Sequence, residues 1–268
     1  MDSTTSAPRK RRFGDRYDGY RVKNLDLPFY LIPNIMRSRV DSQIFFDQQV
    51  NIDPLERYLR RKRNEGMTNL RLIHIILAAT VRVFALRPRI NRFVAGKKIY
   101  AHNNLRFSMT IKRSMSDNGE ETNILPLFEK TDTLFDVVEK FEKALAESKN
   151  KEQNGENKTD QMERLLGHIP TSFKTIVVFT MRNLDKIGFM PKAVYRASPF
   201  HSSAFITDVG SFGIDPIYHH LYEFGTTSCF IAVGRRQTVP YLRKDGALGE
   251  RRILNLRFVL DERICDGF

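Results

Sequence analysis

The chain has 268 residues, of which 41% are hydrophobic and 28% charged, and its formal charge is +13. These proportions belong to a globular protein with a substantial core, in one large domain or two small ones. No apolar run reaches the roughly 18 residues that span a bilayer, and Met1 to Pro8 lacks the apolar stretch of a secretory signal, which argues against a transmembrane or secreted chain and makes a cytoplasmic location the expectation.

The basic excess suits an anionic partner such as nucleotide phosphates. Part of it sits in Arg9-Lys10-Arg11-Arg12, and the rest is scattered without interleaved aromatics, so nucleic acid is not an expected partner. Cys229 and Cys265 fall in or beside apolar strand patterns with no metal-ligand spacing around them, which predicts reduced, inert thiols.

In chain order, residues 1–24 read as a flexible basic arm and 25–268 as a single domain. Leu25 to Ile32 opens the apolar pattern, interrupted by Pro28 and Pro33. Ser42 to Ile52 alternates as a strand does. Asp53-Pro54 starts a helix to about Asn64, whose Arg57, Arg60, Arg61, Lys62 and Arg63 form a solvated face. Thr68 starts a second helix to about Leu86, with Ile73, Ile76, Leu77, Thr80, Val81 and Phe84 at helical spacing; His74, beside that stripe, reads as a core histidine. Lys98 to Ala101, Leu105 to Lys112 and Ile124 to Phe128 predict strands, with a turn at Asp117-Asn118-Gly119. Thr131 or Asp132 caps a long helix reaching about Ser148, and a charged loop follows to Asp160.

Gln161 to Gly188 predicts one or two helices broken at Pro170. The stripe of Phe173, Ile176, Val177, Thr180 and Leu184 predicts core packing, with a membrane-surface or partner-binding helix as the alternative. Beyond Pro199 the pattern turns to β: Ser202 to Thr207, a glycine-bearing loop over Asp208 to Gly213, the apolar run Thr227 to Val233, a turn at Lys244-Asp245-Gly246, and Arg252 to Leu260 before a closing Asp-Gly. This order predicts an α+β fold, a two-layer sandwich with a mixed sheet and helices packed on one side.

Four segments, Arg87 to Asn91, Ala204 to Gly213, Ile231 to Arg235 and Asp261 to Gly267, follow one another in the order of four family motifs. Those motifs are His-Pro-x-Leu-Asn, Phe-Thr-Ile-Ser-Asn-Leu-Gly, the apolar strand after it, and Asp-His-Arg-Val-x-Asp-Gly. From about Leu27 to its end the chain thus resembles the chloramphenicol acetyltransferase and dihydrolipoamide acyltransferase superfamily. The resemblance implies a chloramphenicol acetyltransferase-like subunit and a homotrimer with active sites between subunits. It also implies coenzyme A as acyl-coenzyme A substrate, a thiol or hydroxyl acceptor, and no metal. No nucleic acid is implied, and a membrane surface is not expected. Lipoyl and subunit-binding segments are not found before the core, and the sequence stops inside what the family continues as a helix, so a truncated domain is expected.

Carried over position by position, the family's oxyanion-stabilising serine falls on Thr207, which keeps the hydroxyl or is an ordinary strand residue. The catalytic histidine falls on Glu262. A carboxylate there is either a general base, improved by burial, or a surface or ion-pair residue. Asp266 takes a supporting role in a buried ion pair, and Gly267 permits the turn. Asp208 and Gly210 of the glycine loop, with His201, His219 and His220, are candidate substrate-binding groups. The histidines either compensate for the missing one or make ordinary hydrogen bonds, and no third ligand accompanies the pair at 219–220. The expectation is an acyltransferase, or else an inactive homologue serving as a scaffold.

Overall fold

A computed structural model of the chain describes residues 10–112, 121–153 and 170–267. Strand β1 is Gly19–Arg21 and helix α1 Leu27–Ile35; β2 is Gln43–Asn51, α2 Asp53–Asn64 and α3 Leu72–Leu86. Then come β3 Arg92–Ala95, β4 Lys98–His102, β5 Leu105–Lys112, β6 Glu121–Ile124, β7 Leu127–Phe128 and α4 Leu134–Gln153. The last third holds α5 Thr171–Ile187, α6 Lys192–Ala197, β8 Ala204–Asp208, β9 Cys229–Leu242 and β10 Leu248–Asp261.

The main sheet runs β2-β10-β9-β8-β5-β6, with β7 on β5. β8 lies parallel to both β5 and β9, and the other pairs are antiparallel, so the sheet is mixed as expected. Period-2 alternation sends Leu254, Leu256, Phe258 and Leu260 of β10 toward α3, where Leu77, Val81 and Phe84 meet them in one core with Val137 and Phe141 of α4. The opposite face carries Phe205, Phe230 and Val259 beneath Leu221 of the segment that follows β8. Gly246 takes φ +79° in the Lys244-Asp245-Gly246 turn, which joins the two long strands.

Several boundaries differ from expectation for identifiable reasons. α3 begins at Leu72, not Thr68, because Arg71 N donates to His74 Nδ1 and fixes the first turn there. His74 is a fully buried core histidine, pushed down to about 4 by burial and then by Arg71. Ile124 to Phe128 divides into β6 and β7 around Pro126, which cannot donate to a ladder. α4 continues to Gln153, through the start of the expected charged loop. The turn at 117–119 and residues 154–169 lie outside the described residues.

Two corrections are larger. The arm is not free to residue 24: Arg16 and Asp18 are buried, and β1 pairs with β4 in a small sheet ordered β1-β4-β3. Its order comes from charge: Arg16 Nε donates to Asp18 Oδ1 at 2.8 Å and its Nη2 to Asp185 Oδ1 at 2.6 Å. The α5 stripe is not core either, since Phe173 and Ile176 are 61% and 60% exposed. Cys229 is buried and free, its thiol pushed up to about 12 by burial, and Cys265 is free and half-buried.

Candidate functional site

The register of β8, β9, β10 and β2 builds one row across the sheet. Thr207 pairs with Ala232, Ala232 with Arg257, and Arg257 with Asp47. All four lie on the face opposite the helices, as the alternation of each strand requires. At about 4.8 Å per strand, Thr207 and Arg257 are about 10 Å apart. Arg257 Nε donates to Asp47 Oδ1 at 3.0 Å and its Nη1 to the Pro216 carbonyl at 2.7 Å. The Tyr218 hydroxyl donates to the same Asp47 oxygen at 2.6 Å and, with Arg257, holds the carboxyl below its usual range. Asp215 accepts from Arg235 Nε at 3.0 Å and from Gln237 Nε2. A polar pocket of about 270 Å³ opens among Asp47, Gln49, Asp215, Pro216, Asn255 and Arg257.

Around Thr207 the glycine loop is a short 3₁₀ turn over 209–212. Asp208 Oδ1 caps it by accepting from Ser211 N at 3.2 Å; burial raises the carboxyl, and the turn's backbone N–H groups oppose that. Gly210 has a packing reason: a Cβ there would lie 2.1 Å from the Gly234 carbonyl oxygen. His219 stacks on Phe230 with ring centroids 4.3 Å apart and on His220 at 4.6 Å, its ring pushed down by burial. Phe230 pairs with Phe205, two residues before Thr207, so the strap carrying His219 and His220 crosses the Thr207 face.

The other end of β10 is built differently. Asp261 is fully buried and accepts from Arg263 Nε and Nη2, both at 2.8 Å, with Arg39 Nε 3.6 Å away. Arg39 also donates to the carbonyls of Tyr222, at 2.6 Å, and Gly225, at 3.0 Å. Burial pushes its guanidinium down, with Asp261 opposing most strongly. Glu262 follows on the 3₁₀ turn 262–264 and is exposed. Asp266 is also exposed, paired with Arg89 Nη1 at 3.2 Å. The buried ion pair expected of Asp266 therefore belongs to Asp261. The physical reason is position: Asp261 is the last β10 residue and points into the fold, whereas Asp266 lies past the turn.

The structure thus gathers Thr207, His219 and His220 on one face and separates them from Glu262. Four residues of strand and two strand spacings place Glu262 about 17 Å or more from Thr207 within one chain. His201 belongs to neither group. It is fully buried, with Nδ1 2.7 Å from Ser198 Oγ and Nε2 3.2 Å from Asp185 Oδ1. An apolar cavity of about 250 Å³ lies between α3 and the sheet, lined by Ile76, Val83, Phe84, Cys229, Leu254 and Phe258 among others. Its titratable lining group is the Cys229 thiol, which burial pushes up to about 12 and so keeps protonated. Arg257, Asp47 and Tyr218 were not foreseen from sequence; Arg257, a charge inside the apolar β10 pattern, was the available signal.

Neither a family model nor a curated protein sequence matches the chain. Solved structures do resemble it. A probable dihydrolipoamide acetyltransferase of Listeria monocytogenes superposes with TM-score 0.54 at 16% identity, over 92% of this chain and 88% of that one. The Azotobacter vinelandii dihydrolipoamide acetyltransferase, in which a serine, a histidine and an asparagine were investigated for their catalytic roles, gives 0.51 at 12% over 92% and 86%. The cubic core of a pyruvate dehydrogenase multienzyme complex gives 0.51 at 12% over 98% and 91%. The superfamily resemblance read from the four motifs is therefore matched in three dimensions, as a likeness of fold.

Proposed function

We propose that the chain is a coenzyme A-linked acyltransferase acting as a homotrimer, in which Thr207 of one copy meets the closing turn of a neighbour. The observation that carries this reading is the fold of dihydrolipoamide acetyltransferase cores combined with a hydroxyl, Thr207, on a polar, basic sheet face. The acceptor thiol or hydroxyl gives its proton to a base, and its sulfur or oxygen attacks the thioester carbonyl. The Thr207 hydroxyl donates to the oxyanion that forms. The tetrahedral adduct then expels the coenzyme A thiolate, which takes the proton from the base. Glu262 of the neighbouring copy is the base this reading names, since one chain keeps it far from Thr207. Arg235 and Arg257, on the face of Thr207, are the cations nearest to hand for the phosphates. The location proposed is the cytoplasm.

Release of coenzyme A thiol from acyl-coenzyme A, across thiol and hydroxyl acceptors, tests the reading. Thr207→Val should lower kcat about a hundredfold with the fold retained, and Glu262→Gln should abolish turnover. Turnover untouched by Glu262→Gln would remove Glu262 and leave His219 as the base. The exposure of Glu262 favours the rival, a non-catalytic scaffold subunit. Calorimetric binding of coenzyme A with no thiol release for any acceptor would select it.

A further inference from the structure

We propose that α5 and the basic segment before β1 form a docking surface for an anionic phospholipid membrane. The helix is held to the rest of the chain by charge at its C-terminal end. Asp185 is its one residue in the buried class among those described, pinned by Arg16, and the Lys186 carbonyl sits over Gly96, where a Cβ would come within 2.9 Å. What it presents outward is apolar. Phe173, Ile176, Phe179 and Ile187 recur at helical spacing on one side, and each is exposed, Phe179 at 67%. Just past the helix Phe189 is 74% exposed.

The rim of that face is cationic. Arg182 and Lys186 flank it on the helix, and Lys192 and Arg196 follow on α6, all exposed. Lys10, Arg11, Arg12 and the fully exposed Phe13 lie just before Arg16. Three residues of chain reach at most about 11 Å, so the Arg16 pin keeps Phe13 near the end of α5, and bonds from Arg11 Nε to the Asp15 carbonyl and from Arg12 N to the Asp15 carboxylate hold those two beside it. The acids in this region are spent internally: Asp18 and Asp185 are buried against Arg16, and Asp15 accepts from Arg12 N and Arg21 N. Glu223, 3.7 Å from Arg182, is the exception.

Charge complementarity selects the occupant. A convex helix side with phenylalanine and isoleucine between arginine and lysine suits insertion at the level of acidic headgroups, where the apolar residues leave water and the cations meet phosphate. A second copy laid face to face on this helix would set Arg182, Lys186 and Lys192 against their own counterparts. A nucleic acid would satisfy the cations but leave Ile176 and Ile187 without an apolar partner. The proposal is independent of the acyl-transfer chemistry above.

Co-sedimentation of the full chain with vesicles tests it. Vesicles of phosphatidylcholine with phosphatidylserine should capture the protein, phosphatidylcholine alone should not, and added salt should weaken capture. The double variant Ile176→Asp, Phe179→Asp, at exposed positions, should keep the circular dichroism of the parent and lose about tenfold or more in affinity. Three results would each overturn the assignment: no capture by acidic vesicles, capture unchanged in the folded double variant, or self-association of the parent that the double variant abolishes. Binding to duplex or single-stranded RNA that the double variant removes, without vesicle capture, would equally overturn it.

Discussion

Two arginine–aspartate pairs sit on one face of the main sheet, four residues apart along β10, and the fold treats them oppositely. Arg263 and Asp261 are 4% and 0% exposed at the side chain; Arg257 and Asp47 are 36% and 61% exposed. Their hydrogen-bond lengths are similar, at 2.8 and 3.0 Å. The difference lies in what water would do if a partner were lost. At the Asp261 end, Arg39 and Arg263 would both remain buried without a counter-charge. At the Asp47 end, solvent would replace either partner, so that pair is free to be spent on a ligand. A structural pin and a candidate binding group can thus be made from the same two residue types.

The sharpest way to break this comparison is Asp261→Ala. It strands two buried guanidinium groups and removes the acceptor for Arg263 N, and it should lower unfolding free energy by about 3–5 kcal/mol in denaturant titrations. A variant as stable as the parent would mean that the Asp261 end is as open to water as the Asp47 end.

A buried imidazole held neutral, with no carboxylate in direct contact, sharpens it further. His102 is buried with Nε2 3.3 Å from the Thr226 carbonyl, and its ring is pushed down to about 4 by burial, which Asp18 only partly offsets. The unfolded chain takes up that proton below about pH 6.5. Its stability contribution is therefore full above that pH, falls as pH drops toward 4, and changes no further below it. The total loss should be about 3 kcal/mol, and His74 acts in the same direction. Urea midpoints measured between pH 7 and pH 4 check the slope, and His102→Gln should flatten it; a slope unchanged in that variant would assign the loss elsewhere.

The smallest effect on stability should come from Arg257→Ala. Its unfolding midpoint should stay close to that of the parent, while the acyl-coenzyme A concentration needed for half-maximal turnover rises if the Thr207 face takes the nucleotide. A large fall in midpoint with unchanged kinetics would make Arg257 a structural residue like Arg263.

Much of the architecture was legible along the chain. The alternation of Ile44 to Val50 became β2, Leu105 to Lys112 became β5 with those bounds, and Arg252 to Leu260 lies within the longer β10. The four motif segments pointed to the fold that the solved structures share. The site was less legible. Asp266 carried the motif position, but Asp261 carries the burial. The α5 stripe had core periodicity without a surface to pack on, because periodicity reports that one side of a helix is apolar and not what that side meets.

From its own residues the chain determined most of its longer strands and helices, since alternation and helical spacing are local, while the short elements Gly19–Arg21, Arg92–Ala95 and Lys192–Ala197 left no such pattern. It also determined that its surface is basic, because charge is a sum. Tertiary structure alone decided which charges are paired and which are dry. Asp47 and Arg257 meet across 210 positions of sequence, and Arg16 reaches Asp185 across 169. Burial is a property of everything packed around a group, so an aspartate looks the same along the chain whether it ends as a pin or stands at a pocket.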